Sequence, residues 1–136
     1  MSGIVLDASA VAAWCFEDES DPAADALLDR VATDGATVPA LWVFEVANLL
    51  AGAERRDRVD AARAATFLEL LAALPIAVDP RPAADLPLPL LAIARGTGLT
   101  AYDAAYLELA LRTGATLATR DARLRAAAVT AGVPTT

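Results

Sequence analysis

The chain has 136 residues and a formal charge of −7; all eleven of its basic residues are arginine, it has no histidine and no lysine, and Cys15 is its only cysteine. These absences exclude a Ser–His–Asp or Cys–His pair, a His-ligated zinc, a lysine Schiff base, a Walker-A phosphate loop, an internal disulfide and a cysteine zinc cluster. Any chemistry must come from carboxylates, hydroxyls, amides and arginines, within a length that fits a single domain, residues 1–136, with a real core.

Alanine supplies 35 of the residues and is the best helix former, so the composition favours a helix-rich fold. In chain order, the apolar run 3–6 reads as a buried strand that ends at Asp7. Residues 8–16 read as a helix and the acidic stretch 17–21 as a loop. A second helix spans 22–32, with Asp21 as its N-cap and Pro22 in its first position. Asp34–Gly35 is a turn and 37–38 a short strand. Pro39 opens a helix to about residue 53, residues 55–58 form a charged turn, and 60–74 form another helix. A strand follows at 76–78. The proline-rich segment 81–89 reads as a loop or broken helix, and 90–95 as a helix closed by Gly96 and Gly98. Thr100 caps a strong helix over 101–112 that ends at Gly114. Residues 115–118 form the last strand, and 121–131 a final helix ended by Gly132.

Short apolar strands alternating with helices imply a parallel sheet covered by helices. In such sheets, ligands bind beyond the carboxyl ends of the strands. Asp7 follows the first strand and Asp121 the last, so both belong at that edge. No apolar stretch approaches the roughly 20 residues a spanning helix needs; residues 86–94, for example, contain Pro87 and Pro89. The N-terminus has no basic region, and Asp7 interrupts its first apolar run, so a cytoplasmic protein is expected.

Four acids deserve separate readings. Asp7 could simply cap the helix after it. Glu45 is less ordinary. In the segment 40–51 only Glu45 and Asn48 are polar, and they share one helical face. A helix apolar all round is expected to be buried, and a buried carboxylate is costly unless an arginine or a metal pairs with it. Asp103 stands three residues after Thr100, a capping-box pattern, in the first turn of an otherwise mostly apolar helix. Asp121 could again start a helix, with Thr119 as its cap. If the four converge, their repulsion needs a counter-charge. Arginine or a hard divalent cation such as Mg²⁺ or Mn²⁺ must supply it.

The segments Leu6-Asp7-Ala-Ser9-Ala, Phe44-Glu45-Val-Ala-Asn48-Leu-Leu, Leu99-Thr-Ala-Tyr-Asp103-Ala-Ala-Tyr106 and Thr119-Arg-Asp121, taken in this order, resemble the motifs of PIN-domain ribonucleases. The closest subgroup is the VapC-like toxins of bacterial toxin–antitoxin pairs. The resemblance covers essentially the whole chain. It implies a three-layer α/β/α fold, a short parallel sheet flanked by helices, with Asp7, Glu45, Asp103 and Asp121 meeting at the carboxyl edge. It further implies one or two bound Mg²⁺ or Mn²⁺ ions and cleavage of RNA. Ser9 and Thr119 match hydroxyl positions that support the site, and Asn48 a polar position beside the second acid. Homodimers are common in the family. So is a small antitoxin that covers the site and can push a basic side chain into it.

On this reading Asp7, Asp103 and Glu45 hold the metal, Asp121 completes a second or transient position, and Arg95, Arg120 and Arg123 contact the RNA backbone. Arg55, Arg56, Arg58 and Arg63 form the densest basic cluster and are expected on an exposed turn or a partner surface. Other acidic-edge enzymes fit worse. A haloacid-dehalogenase-like phosphatase needs an acid where Ser9 stands, a receiver domain needs a lysine, and a dinucleotide site needs a Gly-x-Gly-x-x-Gly turn. One alternative is of a different class: a non-catalytic interaction module whose acidic pocket takes a basic peptide, helped by the apolar segments 40–51 and 87–94.

Overall fold

The structure, a computed structural model, describes residues 3–136. Four parallel strands form one sheet: β1 (Ile4–Leu6), β2 (Ala36–Val38), β3 (Ile76–Val78) and β4 (Thr116–Ala118), in the order β3-β2-β1-β4. Seven helices flank it: α1 (Ala8–Cys15), α2 (Pro22–Asp34), α3 (Leu41–Arg55), α4 (Ala61–Ala73), α5 (Pro87–Thr97), α6 (Ala101–Thr113) and α7 (Ala122–Thr130). This is the expected three-layer α/β/α arrangement. Every strand is only three residues long, so the helices supply most of the core. Val5, Leu6, Val38 and Leu117 from the sheet are fully buried, as are Val11, Val31, Tyr106 and Leu124 from helices.

Strand order places the site. From β1 the chain moves outward to β2 and β3, then returns to add β4 on the other side of β1. The topological switch point therefore lies between β1 and β4, where open parallel sheets bind ligands. Register is fixed there by the pairs Ile4–Thr116, Val5–Leu117 and Leu6–Ala118. The Asp7 N–H continues the ladder to the Ala118 carbonyl, at 2.9 Å.

Local signals explain most element ends. Asp21 and Asp60 accept from backbone N–H groups three residues on, capping α2 and α4. Gly35 ends α2 at φ +78°, and a Cβ there would lie 2.9 Å from the Pro75 carbonyl oxygen, so this position requires glycine.

Four expectations change. Residues 87–89 belong to α5, because Pro87 and Pro89 lie in its first turn, where N–H groups have no intrahelical acceptor. Gly96 lies inside α5, and Gly98, in the left-handed region, ends it. Asp121, not Thr119, caps α7, its Oδ1 accepting from the Leu124 N–H at 2.9 Å. The largest change concerns α3, which is not buried all round: Val43, Ala47 and Asn48 face solvent, and Phe44 is 71% exposed. The apolar composition of α3 therefore leaves a greasy outer surface rather than a second buried face.

Candidate active site

Asp7 follows β1 directly and is 6% exposed. It occupies the N-cap position of α1 but makes no capping bond. Its Oδ2 instead accepts two hydroxyls, from Ser9 at 2.7 Å and Thr119 at 2.6 Å. Each hydroxyl is in turn fed by a backbone amide: the Arg120 N–H donates to Ser9 Oγ at 2.9 Å and the Asp121 N–H to Thr119 Oγ1 at 3.0 Å. Two chains run amide to hydroxyl to carboxylate. Donors aligned this way polarise one another and hold the carboxylate in one orientation. Both end on Oδ2, so Oδ1 is left without a partner among the described residues.

Glu45 sits in the second turn of α3 and is half-buried. Its Oε1 accepts the hydroxyl of Tyr106, from α6. Burial raises its carboxyl above the ordinary value. The Tyr106 hydrogen bond opposes this, and the nearby charges of Asp7 and Asp103 add to it. Asp103 lies in the first turn of α6, where Thr100 Oγ1 accepts its N–H at 3.2 Å. Only half of the capping box forms, because the Asp103 carboxylate makes no return bond among the described residues. Its carboxyl is also raised, first by burial, then by Asp121 and Asp7, with Arg123 pulling the other way. These mutual influences link all four acids: Asp7 with Glu45 and Asp103, Glu45 with Asp103, and Asp103 with Asp121.

None of the four forms an ion pair with an arginine among the described residues. The arginines nearby are held elsewhere. Arg120 pairs with Asp21 at 2.7 Å, and Arg123 donates to the Gly98 carbonyl at 3.2 Å. Arg95 is exposed in the last turn of α5. Asn48 is exposed, and no hydrogen bond joins it to any of the four acids among the described residues. The Arg55–Arg63 cluster is structural in part. Arg58 pairs with Asp18 at 2.9 Å and stacks on the Phe16 ring, and Arg63 donates to the Cys15 carbonyl.

The donor set fits a hard divalent cation. It is all oxygen, it is anionic, and in Asp7, Glu45 and Asp121 one oxygen is pinned by the chain while the other is left for a ligand. Among the described residues no three carboxylates are gathered as tightly as a preformed cage would hold them. Burial is the main reason the Glu45 and Asp103 carboxyls are raised, and the charges of the neighbouring acids add to it.

Tyr106 closes the third of the motifs that carry the family resemblance, but the sequence alone assigns no role to its hydroxyl; its place three residues after Asp103, on the same helical face, is a further signal.

A family model described as the PIN domain matches residues 4–129 of the chain. Among solved structures, the crystal structure of PAE2754 from Pyrobaculum aerophilum superposes with a TM-score of 0.70 at 29% identity, over 98% of this chain and 83% of that one. No curated protein matches at a significant level.

Proposed function

The chain belongs to the PIN-domain family, whose members are in general nucleases, and from that premise we propose that it is a divalent-cation-dependent endoribonuclease, the toxin of a toxin–antitoxin pair. The observation that supports this most is the buried Asp7 between β1 and β4, oriented by Ser9 and Thr119, with Glu45, Asp103 and Asp121 near enough for the charges of the four to influence one another, and none of the four paired with an arginine among the described residues. A structural acid cluster would be neutralised from within the chain.

Asp7, Glu45 and Asp103 would hold Mg²⁺ or Mn²⁺, with Asp121 completing a second or transient position. Such an ion, when bound, neutralises phosphate charge and makes a water more acidic. Ser9 and Thr119 keep Asp7 oriented, and Tyr106 does the same for Glu45. Carboxylate oxygens of the cluster accept the proton of the attacking water. Arg123, Arg120 and Arg95 line the approach for the RNA backbone.

The whole of 1–136 acts as one domain, in the cytoplasm. No helix among the described residues is long and apolar enough to cross a membrane. The exposed Phe44, Leu88 and Tyr102 suit protein partners, a small antitoxin and a second copy of the chain.

The test is cleavage mapping on a mixed RNA pool with Mg²⁺ or Mn²⁺, with and without chelator, for wild type and Asp7→Asn. Cleavage should require both the cation and Asp7. Full activity of Asp7→Asn, folded by circular dichroism, would falsify the assignment.

A further inference from the structure

Two acids of the cluster are held by hydroxyls, and the two cases are built differently. Asp7 receives short side chains from its own edge of the sheet. Glu45 receives Tyr106, which crosses from α6 to α3 and is 0% exposed.

We propose that Tyr106 is a positioning residue for cation binding: its buried hydroxyl, reaching from α6 to α3, pins Glu45 Oε1 and leaves Oε2 free for a cation that Asp7 and Asp103 would also hold. The proposal rests on the metal-dependent reading of the site. Its physical basis is ordinary for metal centres. A ligand whose second oxygen is hydrogen-bonded is already oriented and loses less rotamer freedom on binding, and removing such a partner typically costs about 10–100-fold in metal affinity. Among the described residues Glu45 is the hydrogen-bond partner of the Tyr106 hydroxyl.

Tyr106→Phe keeps the ring and removes one oxygen. Mn²⁺ binding is measured by titration calorimetry on wild type, Tyr106→Phe and Asp7→Asn, with the melting temperature of each in chelator. Tyr106→Phe should melt cooperatively and bind Mn²⁺ about tenfold more weakly. Its RNA cleavage should return towards wild type when Mn²⁺ is raised in the same proportion. A purely structural role would lower the melting temperature and leave the Mn²⁺ affinity and the cation rescue unmoved. Wild-type affinity in Tyr106→Phe overturns the proposal and leaves the nuclease reading intact. A wild-type chain that takes up no Mn²⁺ overturns both.

Discussion

Helix α6 carries acids to two places with opposite outcomes. Towards its C-terminal end, Glu108 is 7% exposed and accepts from Arg81 at 2.9 Å and Arg112 at 2.7 Å. Arg112 also reaches Asp79, just beyond β3, at 2.6 Å, and that guanidinium holds the Asp79 carboxyl below the ordinary range. At its N-terminal end, Asp103 has a carboxyl pushed up by burial and further by the charges of Asp121 and Asp7. The chain thus has the means to neutralise an acid cluster internally and does so at one end only. The charge left at the other end is stabilising only if something from outside the chain balances it. That asymmetry is a stronger argument for a cation site than the number of acids.

The comparison breaks most visibly in activity. Asp103→Asn should lower RNA cleavage by about 10²–10³-fold, the loss of a few kcal/mol of charge stabilisation at the phosphate. Its melting temperature in chelator should stay level or rise, because one member of a repelling group is gone. A variant that loses several degrees and cleaves normally would place Asp103 with the structural acids.

Glu108→Gln tests the other end. It leaves Arg81 and Arg112 without their shared acceptor, and a cost of about 2 kcal/mol is expected, below the value for a fully buried pair because both arginines are about a third exposed. Thermal unfolding should move down by several degrees, while cleavage per folded molecule is unchanged below the transition. A drop in activity without a drop in stability would join Glu108 to the site.

Much of this geometry could be read from residue order, and the part that could not has a common cause. The strands after which Asp7 and Asp121 fall, and the helix starts at Pro22 and Thr100, follow from local periodicity and capping chemistry. The exposure of α3 does not. Whether an apolar helix is covered on both faces depends on what packs over it, and α3 leaves Phe44 and Val43 to solvent although its sequence contains only two polar residues in its first three turns. The Asp7 network is similar. Ser9 lies two residues away and its type could be guessed, but Thr119 and the amides of Arg120 and Asp121 arrive from more than a hundred residues on. Tyr106 and Glu45 meet across 61 residues. Local pattern places elements; only the assembled sheet brings their ends together.

The two ends should also respond to pH with opposite sign. Glu45 and Asp103 have folded-state carboxyls raised above their unfolded values, so the folded chain binds more protons than the unfolded one in that window. In chelator, their contribution makes the fold less stable as pH rises from about 4 through the raised values. Asp79 is lowered, so its contribution is present above about pH 4 and is lost as pH falls through its folded value. Melting temperature followed from pH 3 to 7 separates them. Glu45→Gln should flatten the decline on the upper side by about 2 °C and leave the acid limb unchanged. Asp79→Asn should weaken the acid limb alone. Identical pH profiles for wild type and Glu45→Gln would show that Glu45 carries no uncompensated charge.

The smallest effect concerns the arginines that border the open cluster. Arg123 lowers the Asp103 carboxyl against the pull of burial and the acids, and among the described residues its guanidinium donates to a carbonyl, that of Gly98, rather than to a carboxylate. Arg120 is already paired with Asp21. A guanidinium without a carboxylate partner can take a phosphate without first breaking an ion pair, so Arg123 should contribute more to RNA binding than Arg120. Replacing it with alanine should weaken RNA binding by a few-fold across sequences and reduce the slope of log affinity against log salt by about 0.7, the share of one phosphate contact on a single strand. Arg120→Ala should change the slope less and should free Asp21, which still caps α2 through the Ala24 N–H. The measurement is made in Ca²⁺ on the Asp7→Asn variant, so that cleavage does not deplete the ligand. Equal slopes for Arg123→Ala and its parent would return Arg123 to the helix surface. RNA would then approach the acids by a route that Arg123 does not border.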